Sequence, residues 1–116
     1  MNSVKILSAN KEKVFEEIRE YAVRLKHKFP QLLKIILFGS YAKNNYLPQS
    51  DVDLLIVLKN SDKRRIIDRI PDFLPTGIST GADIFPYTVD EIEKMKKNGS
   101  FFINRVLKEG LEVSLN

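Results

Sequence analysis

Apolar residues recur at steps of three and four along the first quarter of the chain. This spacing gathers them on one stripe of a helix, and Pro30 cannot continue a helix that approaches it. We therefore predict an amphipathic helix that starts near Asn10 and stops before Pro30. Its apolar stripe consists of Val14, Phe15, Ile18, Tyr21, Ala22, Leu25 and Phe29.

Two nearly continuous apolar runs follow, Leu32 to Phe38 and Asp51 to Leu58. Short runs of this kind are typical of strands inside a sheet. We expect the first strand to be buried on both faces and the second to lie in the sheet centre. Between them, Gly39-Ser40 is predicted to turn the chain into a short helix over Tyr41 to Tyr46, followed by a loop to Ser50.

The middle of the chain predicts one helix and one strand. Ser61 has the residue type of an N-cap, and the helix that follows should break late, at Pro71. Ile78 to Phe85 alternates loosely and predicts a third strand, which we expect Pro86 to end. The apolar side of the predicted helix carries Ile66, Ile67, Ile70, Phe73 and Leu74.

The C-terminal part predicts two helices and a strand. Thr88 and Glu91 have the spacing of a capping box, which predicts a helix over Val89 to Lys96. A further helix is expected to end at Gly110, and Leu111 to Leu115 is compatible with a last short strand.

The order of these elements predicts an α/β (α+β) fold with a small mixed central sheet flanked by helices, in two or three layers. A chain of 116 residues has room for one domain with a modest core. We therefore expect a single domain over residues 1–116. The sequence contains no internal repeat, low-complexity tract or linker.

The amino-acid composition excludes several kinds of site and of location. The chain has no Cys, which excludes a disulfide framework, a zinc ribbon and a thiol nucleophile. No apolar run approaches the roughly 20 residues of a membrane span, and the N-terminus lacks the apolar core of a signal peptide. The expected protein is soluble and cytoplasmic, without a membrane partner. A formal charge of +4 permits a phosphate-bearing partner but does not require one.

Asp51 and Asp53 are the residues that folding explains least. An unpaired charge in a buried strand costs several kcal/mol, so something must compensate it. Residues i and i+2 of a strand share a face and are roughly 7 Å apart, close enough to converge on one cation. Carboxylates favour Mg²⁺ or Mn²⁺. The alternative is that Asp51 only ends the strand and Asp53 lies on an exposed face.

The turn at Gly39-Ser40 adds a second chemical feature. A helix that opens directly after a buried strand offers backbone N–H groups to an anion. Gly39 permits close approach of a ligand, and the Ser40 hydroxyl can bond to phosphate. A mixed sheet would place this turn beside the two carboxylates, where a bound triphosphate would meet a metal.

Together these residues resemble the minimal nucleotidyltransferases of the DNA polymerase β-like superfamily. The similar motifs are Gly39-Ser40, the Ser50-Asp51-Val52-Asp53-Leu54 strand ten residues later, and Asp83 on a later strand. The resemblance extends from Lys34 to about Leu115. It also includes the closing segment from Phe102 to Gly110.

The resemblance implies a mechanism and a partner. Asp51, Asp53 and Asp83 would be the catalytic residues and would hold two Mg²⁺ ions, with Mn²⁺ as a substitute. ATP would be the substrate, and a hydroxyl group, typically of tyrosine, would receive AMP. In this family the acceptor is commonly a HEPN-domain toxin, with which the nucleotidyltransferase forms a toxin–antitoxin pair as the antitoxin. Gly39, Ser40 and Lys43 would bind the nucleotide.

The sequence departs from the family pattern in two respects. Where many members have Arg-Ala-Arg-Gly after the glycine-serine pair, this chain has Tyr41-Ala42-Lys43-Asn44, which keeps one cation. No segment after Asp83 resembles the acceptor-binding domain of larger relatives. We therefore expect the acceptor to come from another chain.

Two other functions remain open at the level of sequence. A protein of this fold could block its partner stoichiometrically without catalysis, although four intact site residues argue against a decayed site. A nucleic-acid binder is the weaker alternative, because the basic residues beside the predicted middle helix are more simply read as a solvated face. These residues are Lys59, Lys63, Arg64, Arg65 and Arg69.

Overall fold

The computed structural model describes residues 3–43 and 51–116, with side chains from Lys11 onward. The predicted helix end at Tyr46 and the loop to Ser50 lie outside this range. The elements in chain order are α1 (Ser3–Lys28), β1 (Leu32–Phe38), α2 (Ser40–Lys43), β2 (Val52–Leu58), α3 (Ile66–Arg69) with a 3-10 turn (Ile70–Phe73), β3 (Ala82–Thr88), α4 (Val89–Lys97), α5 (Phe101–Glu109) and β4 (Leu111–Val113).

The four strands form one mixed sheet in the order β3-β2-β1-β4. Strand β1 pairs antiparallel with both β2 and β4, whereas β2 and β3 run parallel. Consequently the end of β1 meets the beginnings of β2 and β3 at one edge of the sheet. This arrangement confirms the predicted mixed α/β fold with β2 in the centre.

Helices cover both faces of the sheet and make three layers. Helix α1 packs on one face, where its apolar stripe meets residues such as Leu54 and Ile56. On the other face, α4 and α5 supply Ile92, Ile103 and Val106 against Leu55 and its neighbours. Alternation along β2 therefore sends successive side chains into two different clusters.

The third strand differs from its prediction. It begins at Ala82 and continues through Pro86 to Thr88, so Pro86 does not end it. Within residues 3–43 and 51–116, strand β3 is at the edge of the sheet and pairs only with β2. Proline is tolerated on an edge strand because its missing N–H removes no bond to a second neighbour.

The first helix is also longer than predicted. It begins at Ser3, not near Asn10, and it ends two residues before Pro30 as expected. None of the helices in the described ranges is long and apolar enough to cross a membrane.

The predicted middle helix is reduced to a single turn of α3 and a 3-10 turn. Ser61 does not cap it, because its hydroxyl accepts a bond from the Lys63 N–H in the loop, and the residue before the helix is Arg65. Arg69 is not on a solvated face: only 3% of the residue is exposed. The prediction placed Arg69 outside because local periodicity cannot reveal a partner 22 residues away.

Arg69 is buried because it is fully hydrogen-bonded. It donates to the Pro86 carbonyl on β3 and to both carboxylate oxygens of Glu91 on α4. It also donates to the carbonyls of Lys63 and Arg64. A single side chain thus joins the loop before α3, strand β3 and helix α4.

Candidate active site

The predicted carboxylates meet where β1 ends and β2 and β3 begin. In the sheet register, Asp53 lies opposite Phe38 on one side and Asp83 on the other. Neighbouring strands are about 4.8 Å apart, so Asp53 and Asp83 are adjacent. Asp51 is two residues earlier, directly before β2. The structure therefore brings Asp51, Asp53 and Asp83 to one end of the sheet.

These carboxylates belong to the face that α4 and α5 cover. Side chains two residues apart on a strand lie on the same face of the sheet. Asp53 therefore shares a face with Leu55 and Val57, and Asp83 shares it with Phe85. These three apolar residues belong to the cluster beneath α4 and α5. Asp53 is half-buried, whereas Asp51 and Asp83 are exposed. The three carboxylates therefore lie at the end of this face that is open to solvent.

The electrostatic environment of Asp53 reflects this clustering. Partial burial raises the pKa of Asp53 above its ordinary value, and the negative charges of Asp83 and then Asp51 raise it further. Burial and like charges both disfavour the ionised form of a carboxylate. A cation at this place would relieve both effects.

Gly39 and Gly81 have no side chains, and the carboxylates of Asp53 and Asp51 occupy the space where those side chains would be. A Cβ on Gly39 would lie 3.4 Å from Cγ of Asp53 and closer still to Oδ2. A Cβ on Gly81 would lie 3.0 Å from Cγ of Asp51 and closer still to Oδ1. Gly39 also has a φ of 80°, which favours glycine. Any side chain at either position would displace a site carboxylate.

The predicted nucleotide-binding residues follow this turn. Gly39 is adjacent to Asp53, and half-buried Ser40 opens α2. Lys43 ends α2 and forms an ion pair with Glu109 of α5, with 3.1 Å between Nζ and Oε1. The hydrogen bond from Lys43 holds the pKa of Glu109 below its ordinary value. The ammonium group of Lys43 has three N–H donors, so it can pair with Glu109 and also contact a nucleotide.

The donor set fits a hard divalent cation. Three carboxylates supply oxygen ligands of the kind that Mg²⁺ and Mn²⁺ prefer, and the two glycines form a cradle around two of them. As the side chains are placed, no three His, Cys, Asp or Glu residues of the described ranges form a ready metal site.

A cavity of about 330 Å³ borders the same turn. It lies between the end of β1 and helix α5, and both Gly39 and Lys43 contribute to its wall. The lining residues are Phe38, Gly39, Lys43, Phe101, Phe102, Arg105, Val106 and Glu109.

Sequence reasoning missed part of this site. Gly81 was not assigned a role, although its position two residues before Asp83 is a local signal for a close approach. The cavity could not be predicted, because it depends on the packing of α5 against the end of β1. The sequence also assigned no role in the site to Phe101, which is exposed, or to Phe102, which is half-buried.

Residues 18–113 match the family described as "Nucleotidyltransferase domain". This segment includes the whole sheet, the turn at Gly39 and all three carboxylates. The chain therefore belongs to the nucleotidyltransferase family, and its class is that of an enzyme that transfers nucleotides.

The chain is also similar to proteins of Methanocaldococcus jannaschii. One, provisionally assigned as a protein adenylyltransferase, is 39% identical over 103 residues, which are 87% of this chain and 95% of that protein. A second with the same provisional assignment is 34% identical over 72% of this chain and 80% of its own length. A third is 52% identical over 48 residues, which span 40% of this chain and only 33% of that protein.

Two solved structures share the fold. A provisionally assigned nucleotidyltransferase of Sulfolobus solfataricus superposes with a TM-score of 0.66 at 24% identity, over 90% of this chain and 82% of that one. A chain of a toxin–antitoxin complex with AMP-PNP superposes with a TM-score of 0.59 at 18% identity, over 84% and 73%. At these identities the likeness concerns the fold.

Proposed function

We propose that this nucleotidyltransferase is a protein adenylyltransferase that moves AMP from ATP to a tyrosine hydroxyl of a partner protein. The partner would be a HEPN-domain toxin, and the chain would act as its antitoxin in a toxin–antitoxin pair. A cytoplasmic location, where ATP is available, belongs to the same proposal.

The observation that carries the proposal is the group of three carboxylates beside the turn at Gly39. Asp53 and Asp83 are register neighbours, and two glycines leave room for Asp51 and Asp53. The relative that matches over 95% of its length is provisionally assigned the same activity. Acidic residues at the edge of a glycine-serine turn suit a substrate that brings phosphates and a cation together.

The reaction would be an in-line displacement at the α-phosphorus of ATP. The acceptor oxygen forms a bond to this phosphorus, the bond to the bridging oxygen of the β-phosphate breaks, and pyrophosphate leaves. In the same step the acceptor hydroxyl gives its proton to solvent water, a deprotonation that Asp83 would favour. Asp83 is exposed on the edge strand, where an acceptor from another chain can approach.

Each site residue has a part in this reaction. Gly39 and Ser40 would bind and orient the phosphates, and Lys43 would add a positive charge beside them. Asp51, Asp53 and Asp83 would hold two Mg²⁺ ions, or Mn²⁺. When bound, these ions supply charge stabilisation for the attacking and leaving oxygens. The side chains of the three aspartates would have to turn towards a common centre.

The identity of the partner rests on the resemblance of the motifs to those of minimal nucleotidyltransferases. The fold shared with a chain of a toxin–antitoxin complex is compatible with such a role and does not decide it. Stoichiometric inhibition without catalysis is the second candidate, because exposed apolar side chains on α5 offer a surface for contact. Phe101 is 86% exposed and Leu107 is 42% exposed.

The test is label transfer from ATP. The purified protein is incubated with α-labelled ATP, Mg²⁺ and the protein encoded next to it, and the acceptor is analysed by mass spectrometry. We expect the label on a tyrosine of the neighbour, and loss of the label when Mg²⁺ is chelated. Asp53→Asn should reduce transfer by more than about 100-fold, because loss of a group that only supports a metal ligand already costs about 10–100-fold.

Asp62→Asn is the matched control, because Asp62 is an exposed loop carboxylate outside the site. This variant should transfer label at the rate of the unmodified protein. A tight complex with the neighbour but no label in any sample would favour stoichiometric inhibition. Label on a residue other than tyrosine would support the proposed transfer of AMP and show that the acceptor residue is not tyrosine.

A further inference from the structure

The cavity beside the turn at Gly39 has a composition unlike that of the acidic site next to it. The residues that line it include Phe38, Phe101, Phe102 and Arg105. A volume of about 330 Å³ lies at the lower end of small-molecule pockets, which are roughly 300–1,000 Å³. The cavity therefore suits one flat, partly polar group.

Two residues of the cavity wall adjoin Asp53 of the acidic site. Gly39 contributes to the cavity wall, and its open side faces Oδ2 of Asp53. Phe38 also lines the cavity and is the register partner of Asp53. A ligand with phosphates at Gly39 could therefore extend directly into the cavity.

The aromatic wall is partly rigid and partly exposed. The ring of Phe102 lies 5.5 Å from that of Phe38 and 5.4 Å from that of Phe85, so neighbouring rings hold it in place. Phe101 stands at the beginning of α5 and is 86% exposed. A large exposed ring beside a cavity is well placed to stack on a planar ligand.

We propose that this cavity binds the nucleoside part of the nucleotide, with the ring of Phe101 stacked on the base and Arg105 at the rim. The inference rests on the proposed function, because it takes the phosphates to bind at Gly39. It assigns Phe101 and the cavity to substrate binding, a role separate from that of the carboxylates.

Phe101→Ala tests the proposal by comparing ATP with inorganic tripolyphosphate, each in the presence of Mg²⁺, in calorimetric titrations. We expect the variant to lose about ten-fold in affinity for ATP, the order of magnitude of one lost base–aromatic stack. Its affinity for tripolyphosphate should stay unchanged, because that ligand has no base. Leu107→Ala is the matched control on α5, since Leu107 is exposed but does not line the cavity.

Phe101→Trp provides an independent readout. The chain contains no Trp, so the new indole would be the sole source of tryptophan fluorescence. Stacking on a base should quench this fluorescence when ATP is added, while tripolyphosphate should leave it unchanged. The variant should also retain ATP affinity, since the larger ring still stacks.

The outcomes separate this inference from the proposed function. If the unmodified protein binds neither ATP nor tripolyphosphate, the proposed function fails and this inference fails with it. If Phe101→Ala binds ATP as tightly as the unmodified protein, only the nucleoside assignment is overturned. If Phe101→Ala binds ATP with unchanged affinity but transfers the label more slowly, the cavity binds the acceptor protein, and the inference is overturned in the same way.

Discussion

At the scale of single residues, the negative charge of Asp53 destabilises the folded protein, and a bound cation would compensate this charge. Burial, Asp83 and Asp51 all raise its pKa. A raised carboxylate pKa means that the folded state loses stability as pH rises through the interval between the ordinary pKa and the raised one. At neutral pH without metal, the ionised group therefore opposes folding.

Asp53→Asn should accordingly raise the thermal midpoint of the metal-free protein at neutral pH. Removing one of two like charges on neighbouring strands is worth up to about 1 kcal/mol in free energy of unfolding. Differential scanning calorimetry with EDTA and with Mg²⁺ provides the measurement. Mg²⁺ should raise the midpoint of the unmodified protein and have little effect on the variant; an equal Mg²⁺ effect on both would count against a metal at Asp53.

Gly39 and Gly99 form a matched pair for testing the turn. Both have a positive φ, but an added Cβ at Gly39 would strike Asp53, whereas one at Gly99 would meet no atom of the described residues within 4 Å. Each substitution by Ala should cost about 1–2 kcal/mol for the left-handed conformation. Only Gly39→Ala should also abolish nucleotide transfer, as measured by label transfer. Equal activity in the two variants would show that Asp53 can move aside.

At the scale of elements, Arg69 and Glu91 connect α3, β3 and α4. Glu91 accepts bonds from Arg69 and also from the Thr88 N–H, while the Thr88 hydroxyl accepts from the Glu91 N–H. The capping box predicted from the sequence is therefore present. Its glutamate has a second function, as the partner of a buried arginine.

This cluster predicts a dependence of stability on acid. The bonds from Arg69, and then the one from the Thr88 backbone, hold the pKa of Glu91 below its ordinary value of 4.5. A lowered pKa contributes stability that is present above pH 4.5 and is lost as pH falls through the lowered value. The contribution therefore disappears only in acid.

Glu91→Gln should lower the free energy of unfolding at pH 7 by about 1.5–3 kcal/mol, since it removes a charge-assisted bond to a buried partner. Urea titrations between pH 7 and pH 3 provide the measurement. The difference between variant and unmodified protein should shrink as the solution becomes acidic. A difference that is constant over this range would assign the effect to packing.

At the scale of the whole molecule, one sheet separates two hydrophobic clusters. Leu54 faces the cluster under α1, and Leu55 faces the cluster under α4 and α5; both are fully buried. Because the same backbone supports both clusters, loss of either should unfold the other. The predicted single domain implies this cooperativity.

Leu54→Ala and Leu55→Ala test it as a pair. Each should lower the free energy of unfolding by about 2–5 kcal/mol, the usual cost of a cavity in a core. Circular dichroism and tyrosine fluorescence should follow one shared transition in both variants. Two separate transitions in either variant would show that the two layers unfold independently.

The sequence by itself determined β1, β2, the ends of α4 and α5, and the candidate carboxylates Asp51 and Asp53. These follow from local signals: apolar runs, a capping box, and acidic residues in a run that would otherwise be buried. Asp83 was predicted only from the resemblance to minimal nucleotidyltransferases. Strand β2 (Val52–Leu58) matches the predicted strand Asp51 to Leu58 except at its first residue. The register that places Asp53 beside Asp83 is known only from the structure. The roles of the individual site residues remain predictions.

The tertiary structure alone decided the features that depend on distant partners. Arg69 is buried because Pro86 and Glu91 reach it, Lys43 pairs with Glu109 across to α5, and Gly81 accommodates Asp51 from a neighbouring strand. Periodicity describes only which side of an element is apolar. It contains no information on which distant group will compensate a charge or leave a cavity, because those depend on how the layers pack.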